Sequence, residues 1–260
     1  MNESKLEIIA KKIRQDSFKM LQQKGGGHFG GAFSCAEILT VLYGQVINEE
    51  DRFILSKAHA GVALYSILSQ CGILKKNILN TYGIDGSILG VHGEKDFVPG
   101  VEFSCGSLGH GLSFATGLAF GKKKKNNSGN IYVLLGDGEC QEGSIWEAAL
   151  FASQNKLSNL TAIIDNNKKQ SSGLLKNILD IEPIKTKWSS FGWHTTEIDG
   201  HCFKEINKAI QQNINIKTKP KMIIAKTIKG KGVGFLESKE DCHYDRLSSE
   251  EARIAWEALS

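Results

Sequence analysis

The chain lacks any run of about 18 consecutive apolar residues, so no segment reads as a membrane-spanning helix. Its first twenty residues are charged throughout and contain no apolar h-region, so no secretory signal is expected there. No C-x-x-C occurs. The cysteines at 35, 71, 105, 140, 202 and 242 are scattered, which points to reduced thiols and a cytoplasmic protein rather than a disulfide framework. His201–Cys202 and Cys242–His243 are adjacent pairs without zinc-ligand spacing, so a zinc site is not expected. Charge of one sign is lacking as well: 32 Lys and Arg face 28 Asp and Glu, a diffuse net +4. That is too weak for a nucleic-acid footprint. Proline is scarce at 3, whereas glycine reaches 28, which suits tight turns and backbone pressed against a ligand. With 41% hydrophobic and 23% charged residues, the chain has enough apolar material for a real core, and global disorder is excluded.

The pattern alternates helix and strand without a clear linker. Leu6, Ile9, Ile13, Phe18 and Leu21 lie near helical spacing and predict an opening amphipathic helix that stops at Lys24–Gly27. Ser34 and Glu37 form a capping-box pattern before Ile38–Leu42, which predicts a helix starting there. Arg52–Leu55 reads as a short strand followed by a helix from about Ala58 to Cys71. Tyr82–Cys105 is loop-rich. Leu108–Gly121 reads as a helix able to pack closely through Gly111, Ala115, Gly117 and Ala119, and the Lys122–Lys125 run reads as a solvated turn. Ile131–Leu135, Leu160–Asp165 and Met222–Lys226 are short apolar runs, as expected of parallel strands buried on both faces. A helix over Ser144–Asn155 joins the first two. The implied class is α/β, a mostly parallel sheet flanked by helices on both faces. Trp146, Trp188 and Trp193 suit core or interface positions better than a substrate platform.

The chemistry concentrates between Ile131 and Gly173. One strand ends in Gly136-Asp137-Gly138 and the next in Asp165-Asn166-Asn167, with 27 residues between Gly138 and Asn166. Both ends fall at the carboxyl edge of a parallel sheet, where ligands bind. Asp137 and an Asn of the second strand end can share one hard cation such as Mg²⁺, which keeps phosphate oxygens as further partners. The glycines beside Asp137 allow a diphosphate to approach the backbone. A dinucleotide fingerprint is a poorer match, because Gly136–Gln141 lacks the third glycine.

A Gly-Asp-Gly followed after about thirty residues by Asn-Asn resembles the thiamine diphosphate motif. The surrounding text, GDGECQEGSIWEAALFASQNKLSNL, resembles transketolases in particular. GGGHFGGAFSCAEIL, LSKAHAGVALYSIL and VPGVEFSCGSLGHGLSFATGLA match the same family in the same order, so the resemblance runs from about residue 5 to the end. It implies a single diphosphate-binding domain over 1–260. The family's pyrimidine-binding and C-terminal domains are then expected on a separate chain, in a heterotetramer of two copies of each. The implied activity is a transketolase-type transfer of a two-carbon ketol unit from a ketose, phosphorylated in the main reading, to an aldose or related sugar carbonyl. Acyl transfer from a 2-keto acid by a related thiamine diphosphate enzyme is the alternative, and a non-catalytic interaction subunit is disfavoured by the residues retained.

Carried over residue by residue, the resemblance makes Asp137, Asn167 and the backbone carbonyl of Lys169 ligands of Mg²⁺, for which Ca²⁺ or Mn²⁺ can substitute. It places His59, Gly138 and His243 on the diphosphate and Gly106-Ser107-Leu108 along the cofactor. His28, His92 and His243 would face the sugar and handle protons, a task suited to imidazole near neutral pH. Glu142 would belong to a hydrogen-bonded network between subunits. His110, His194 and His201 gain no such role. One departure stands out: Lys168–Gly173 replaces an apolar residue followed by Ile-Asp-Gly, so Ser171 stands where an Ile packs against the cofactor rings. His110 stands where Gln is common. Small sugars are the expected substrates, and neither nucleic acid nor membrane is an expected partner.

Overall fold

A computed structural model of the chain describes residues 1–240 and 242–260. Helix α1 (Glu3–Gln23) is capped by the Asn2 side chain, which accepts from the Lys5 backbone N–H, and it buries Leu6, Ala10, Ile13 and Leu21. Helices α2 (Phe29–Ser34) and α3 (Ala36–Val41) lead to strand β1 (Arg52–Leu55) and α4 (Gly61–Gln70). After the loop-rich stretch come α5 (His110–Lys124), β2 (Ile131–Gly136), α6 (Gly143–Gln154) and β3 (Leu160–Asn166). A short hairpin, β4 (Lys169–Gln170) and β5 (Gly173–Leu174), precedes α7 (Leu175–Ile178) and α8 (Ile184–Ser190). The chain then runs through β6 (His194–Asp199), α9 (Phe203–Ile214), β7 (Lys221–Lys226), α10 (Gly234–Ser238) and α11 (Ser249–Leu259).

Five strands form one sheet in the order β1-β2-β3-β7-β6, all parallel. The central strands alternate between two cores. Tyr132, Leu134, Ile163 and Ile223 pack with α1, α3 and α4 on one face. Val133, Leu135, Ile164 and Ile224 pack with α5 and α6 on the other. A strand covered on both sides needs apolar residues at every position, which is why these runs are continuous in the sequence. Edge strand β6 is covered less. Its exposed or half-buried His194, Thr195, Thr196 and Glu197 leave Ile198 as the one apolar anchor, so it makes no apolar run.

Three local expectations are corrected. Ser34 does not cap a helix: it is the last residue of α2, and the chain enters that helix directly after His28. Glu37 points instead to Arg14 and to His201, at 2.7 and 2.9 Å, while a true capping box forms at Ser248 and Glu251 on α11. The lysine run does not follow its helix as a turn; Lys122–Lys124 form the last turn of α5. Cations are favoured there by the helix dipole, and Lys122 and Lys123 also donate to carbonyls of neighbouring loops. Finally, Gly117 faces open space and does not serve close packing, whereas Ala115 and Ala119 are buried as expected and a Cβ at Gly111 would lie 2.5 Å from Ser56 Cβ. The tryptophans fall as expected, Trp188 and Trp193 buried and Trp146 packed at a tilt against Trp188.

Candidate active site

Register fixes where the chemistry lands. Gly136 is opposite Asp165, and Asn166 is opposite Lys226, so the ends of β2, β3 and β7 lie side by side. A cleft with about 660 Å³ of empty space opens at this carboxyl edge, bordered by Asp137, Gly138, Asn167 and Lys169. His59, His243, Leu108 and Glu142 border it as well. These eight residues were each expected at the site from the sequence.

Asp137 is buried at the turn after β2. One carboxylate oxygen accepts the Gly138 backbone N–H at 2.8 Å, and the other accepts that of Lys168 at 2.6 Å. Burial, reinforced by the Asp165 charge, raises its pKa to about 6. Lys168 reaches this contact in the left-handed region, at φ 65°. Next to it, Asn167 Oδ1 accepts the Lys169 N–H at 3.1 Å, a local Asx turn that folds the chain back into the β4–β5 hairpin. Gly138 packs tightly under this hairpin: a Cβ there would meet Gln170 Cβ at 2.9 Å. Gln170 in turn accepts from Gln141 at 2.6 Å. Ser171, at the hairpin tip, borders the cleft.

Three histidines from distant parts of the chain meet beside the cleft. The ring centres of His28 and His243 are 4.9 Å apart, those of His59 and His243 5.0 Å, and those of His28 and His59 5.5 Å. Burial, with the charges of His92, Lys229 and Lys24, lowers the pKa of His28 to about 4. Burial next to Lys57 drives His59 well below its ordinary value. Both rings are therefore neutral at pH 7, each offering one donor and one acceptor nitrogen. His92 is exposed and lies over Gly106, whose Cβ position is 3.4 Å from its Nδ1. Gly106 and Ser107 are exposed, outside the cleft lining. Glu142 is exposed at the start of α6, packed against Gly109.

A polar layer that includes part of the cleft lining, Lys57, Glu139 and Lys229, went unread in the sequence. Glu139, which is buried, accepts from Ser56 Oγ and from the backbone N–H groups of Gly109 and Gly136. It thereby ties the start of α5 to the turn at Asp137. Lys229 is buried between the Lys169 carbonyl, 3.2 Å away, and His243 Nδ1, 3.3 Å away. Lys57 and Asp165 form a fully buried ion pair. His201 bridges Glu37 and the Ile228 backbone N–H, at 2.9 Å each, and so anchors the segment that carries Lys229. The available signal was a charged residue at each strand end: Lys57 after β1, Asp165 within β3 and Lys229 after β7.

This donor set fits a divalent cation bridged to a diphosphate. Asp137 is a buried acceptor whose pKa is raised by burial and by the Asp165 charge, and the Asn167 and Lys169 oxygens border the same cleft. Among the described residues no three His, Cys, Asp or Glu side chains are placed to hold a metal ion. A cation beside Asp137 therefore needs amide and carbonyl oxygens, the hard ligands that suit Mg²⁺. Lys229, His59 and His243 border the same cleft with donors for an anion.

Comparison with known proteins identifies the architecture. The family model for the transketolase, thiamine diphosphate binding domain, matches residues 6–259. The chain belongs to the transketolase family. It is a transferase-family chain carrying the thiamine diphosphate-binding domain, with the divalent metal typical of that family. It is 38% identical to a 6-deoxy-6-sulfo-D-fructose transketolase subunit of Clostridium sp. (strain MSTE9), over 96% of this chain and 95% of that one. It is 40% identical to an apulose-4-phosphate transketolase subunit of Actinobacillus succinogenes, over 98% and 95%. Among solved structures, the transketolase of Campylobacter jejuni superposes with a TM-score of 0.93 at 32% identity. That superposition covers 100% of this chain but 43% of the other. The chain thus spans nearly the whole of the subunit relatives and less than half of the solved transketolase. The resemblance read from the motifs holds over the full sequence. Among the described residues no helix is long and apolar enough to cross a membrane.

Proposed function

We propose that this chain is the diphosphate-binding half of a two-chain transketolase, forming its complete site with a second chain that carries the pyrimidine-binding and C-terminal domains. One observation supports this above others: the Asp137 turn, the Asn167–Lys169 turn, His59 and His243 converge on one cleft at the carboxyl edge of the sheet, with His28 packed against both rings. Asp137, Asn167 and the Lys169 carbonyl hold the cation. His59, His243 and Gly138 hold the diphosphate, and the Gly106–Leu108 backbone lies along the cofactor. When bound, thiamine diphosphate supplies the electron sink that lets a two-carbon ketol unit leave a ketose for an aldose carbonyl. His28, His92 and His243 orient the sugar hydroxyls and accept or return their protons at the imidazole nitrogens. Glu142 faces the partner. The whole is one domain, assembled as two copies of each chain in the cytoplasm.

Asp137→Ala tests the site: in the assembled enzyme it should abolish Mg²⁺-dependent binding of thiamine diphosphate, measured by calorimetry, because the cation loses the one carboxylate the chain offers it. Binding equal to wild type would overturn the assignment. Titrating the purified chain with the second chain tests the assembly. Ketol transfer should be absent at first and saturate near a one-to-one ratio. Turnover by the isolated chain, free of host transketolase, would refute the two-chain reading.

A further inference from the structure

Asp165 has no exposed surface and does not border the cleft, yet four chain segments converge on its carboxylate. Oδ2 accepts from Lys57 Nζ, from Ser34 Oγ at 2.6 Å and from Asn167 Nδ2 at 3.3 Å; Oδ1 accepts from Thr227 Oγ1. A buried ion pair is weak grounds for stability, since apolar replacements of similar size are often tolerated. Its geometric consequence is specific. A side-chain amide has two nearly isosteric orientations, and a cation can use only its oxygen. A carboxylate can only accept, so the Asn167 NH₂ must face Asp165. The Lys169 backbone N–H can only donate, and it meets Asn167 Oδ1 at 3.1 Å. Both contacts select the same orientation, and Asn167 and Lys169 both border the cleft.

We propose that Asp165, balanced by Lys57, is a positioning residue that locks the Asn167 amide with its oxygen available to the divalent cation. This rests on the reading of Asp137, Asn167 and Lys169 as cation ligands. Ser34 and Thr227 hold the carboxylate from α2 and from the end of β7, so that it cannot turn away. Lys57 holds it from the end of β1 and also donates to the Gly31 carbonyl at 2.8 Å.

The test uses the full chain with Lys57→Met as a common background, so that no unpaired charge is left buried. Asp165→Leu removes every acceptor. Asp165→Asn keeps one oxygen for Asn167 when its NH₂ turns to Thr227, whose hydroxyl accepts as well as donates. Asp165→Ala, the second variant should leucine not fold, admits water, which satisfies either orientation of Asn167 and so selects neither. Mn²⁺ affinity in the presence of thiamine diphosphate is read by electron paramagnetic resonance, with circular dichroism and urea unfolding as controls for folding. The leucine and alanine variants should bind Mn²⁺ about tenfold or more weakly, and the asparagine variant within about threefold of wild type. A folded leucine or alanine variant with wild-type affinity, alongside an Asp137→Ala variant that has lost it, overturns the role of Asp165 and leaves the cation site standing. Equal loss in all three Asp165 variants also overturns it, because only orientation distinguishes asparagine from the others. Wild-type affinity in Asp137→Ala would overturn the cation site itself, and this inference with it.

Discussion

Replacing His28 with glutamine keeps a polar side chain of similar reach but removes an imidazole that can take up and return a proton. The ring is half-buried against His59 and His243. Burial, then His92, Lys229 and Lys24, lowers its pKa from 6.5 to about 4. Two consequences follow from one shift. At pH 7 the ring is neutral and ready to accept a sugar hydroxyl proton, so its loss should lower kcat/KM by about 10²–10⁴-fold with little change in thiamine diphosphate affinity. Below pH 6.5 the unfolded chain takes up a proton that the folded chain refuses until about pH 4. Stability present above pH 6.5 is therefore lost as the pH falls through that window, by at most about 3 kcal/mol. Partial exposure of the ring screens this to about 1–2 kcal/mol. Urea unfolding of the metal-free chain at pH 7 and pH 4.5 should show His28→Gln losing less stability than wild type by that amount. Steady-state kinetics of the two-chain enzyme complete the assay. A variant with kcat/KM within about threefold of wild type, or with the same acid loss as wild type, would refute the reasoning.

Gly111→Ala would set a methyl 2.5 Å from Ser56 Cβ and 2.8 Å from its Cα, and should cost about 1–3 kcal/mol in urea unfolding as α5 is pushed off the end of β1. Gly138→Ala would press on Gln170 Cβ at 2.9 Å. By displacing the hairpin beside the cation ligands, it should weaken calorimetric Mg²⁺–thiamine diphosphate binding about tenfold or more while moving the thermal midpoint little. Burial raises the Cys35 and Cys105 thiols to about 12, and Cys140 and Cys242 are also enclosed, whereas Cys71 is exposed. Iodoacetamide at pH 8 should accordingly modify Cys71 and the half-buried Cys202 ahead of those four, which stay protected until urea is added, as peptide mass spectrometry would record.

The sequence by itself determined the class of fold and the motif-bearing part of the site. Ile131–Leu135, Leu160–Asp165 and Met222–Lys226 were legible because a strand covered on both faces must be apolar throughout. Asp137 and Asn167 were legible because each directly follows such a run, and the carboxyl edge of a parallel sheet gathers whatever follows its strands. Edge strand β6 was hidden for the opposite reason: half its surface faces water, so Thr195, Thr196 and Glu197 suffice. Only tertiary structure could decide the use of Ser34 and Glu37. Their spacing satisfies a local rule for a helix start, but Asp165, Arg14 and His201 lie far away in sequence and claim both side chains. The same holds for the polar layer at the cleft floor. Lys57, Asp165, Glu139 and Lys229 stand among other polar and charged residues in the sequence, and a linear chain does not say which charges will face one another. Burial decides it, because a charge removed from water persists only beside the partner the fold brings to it.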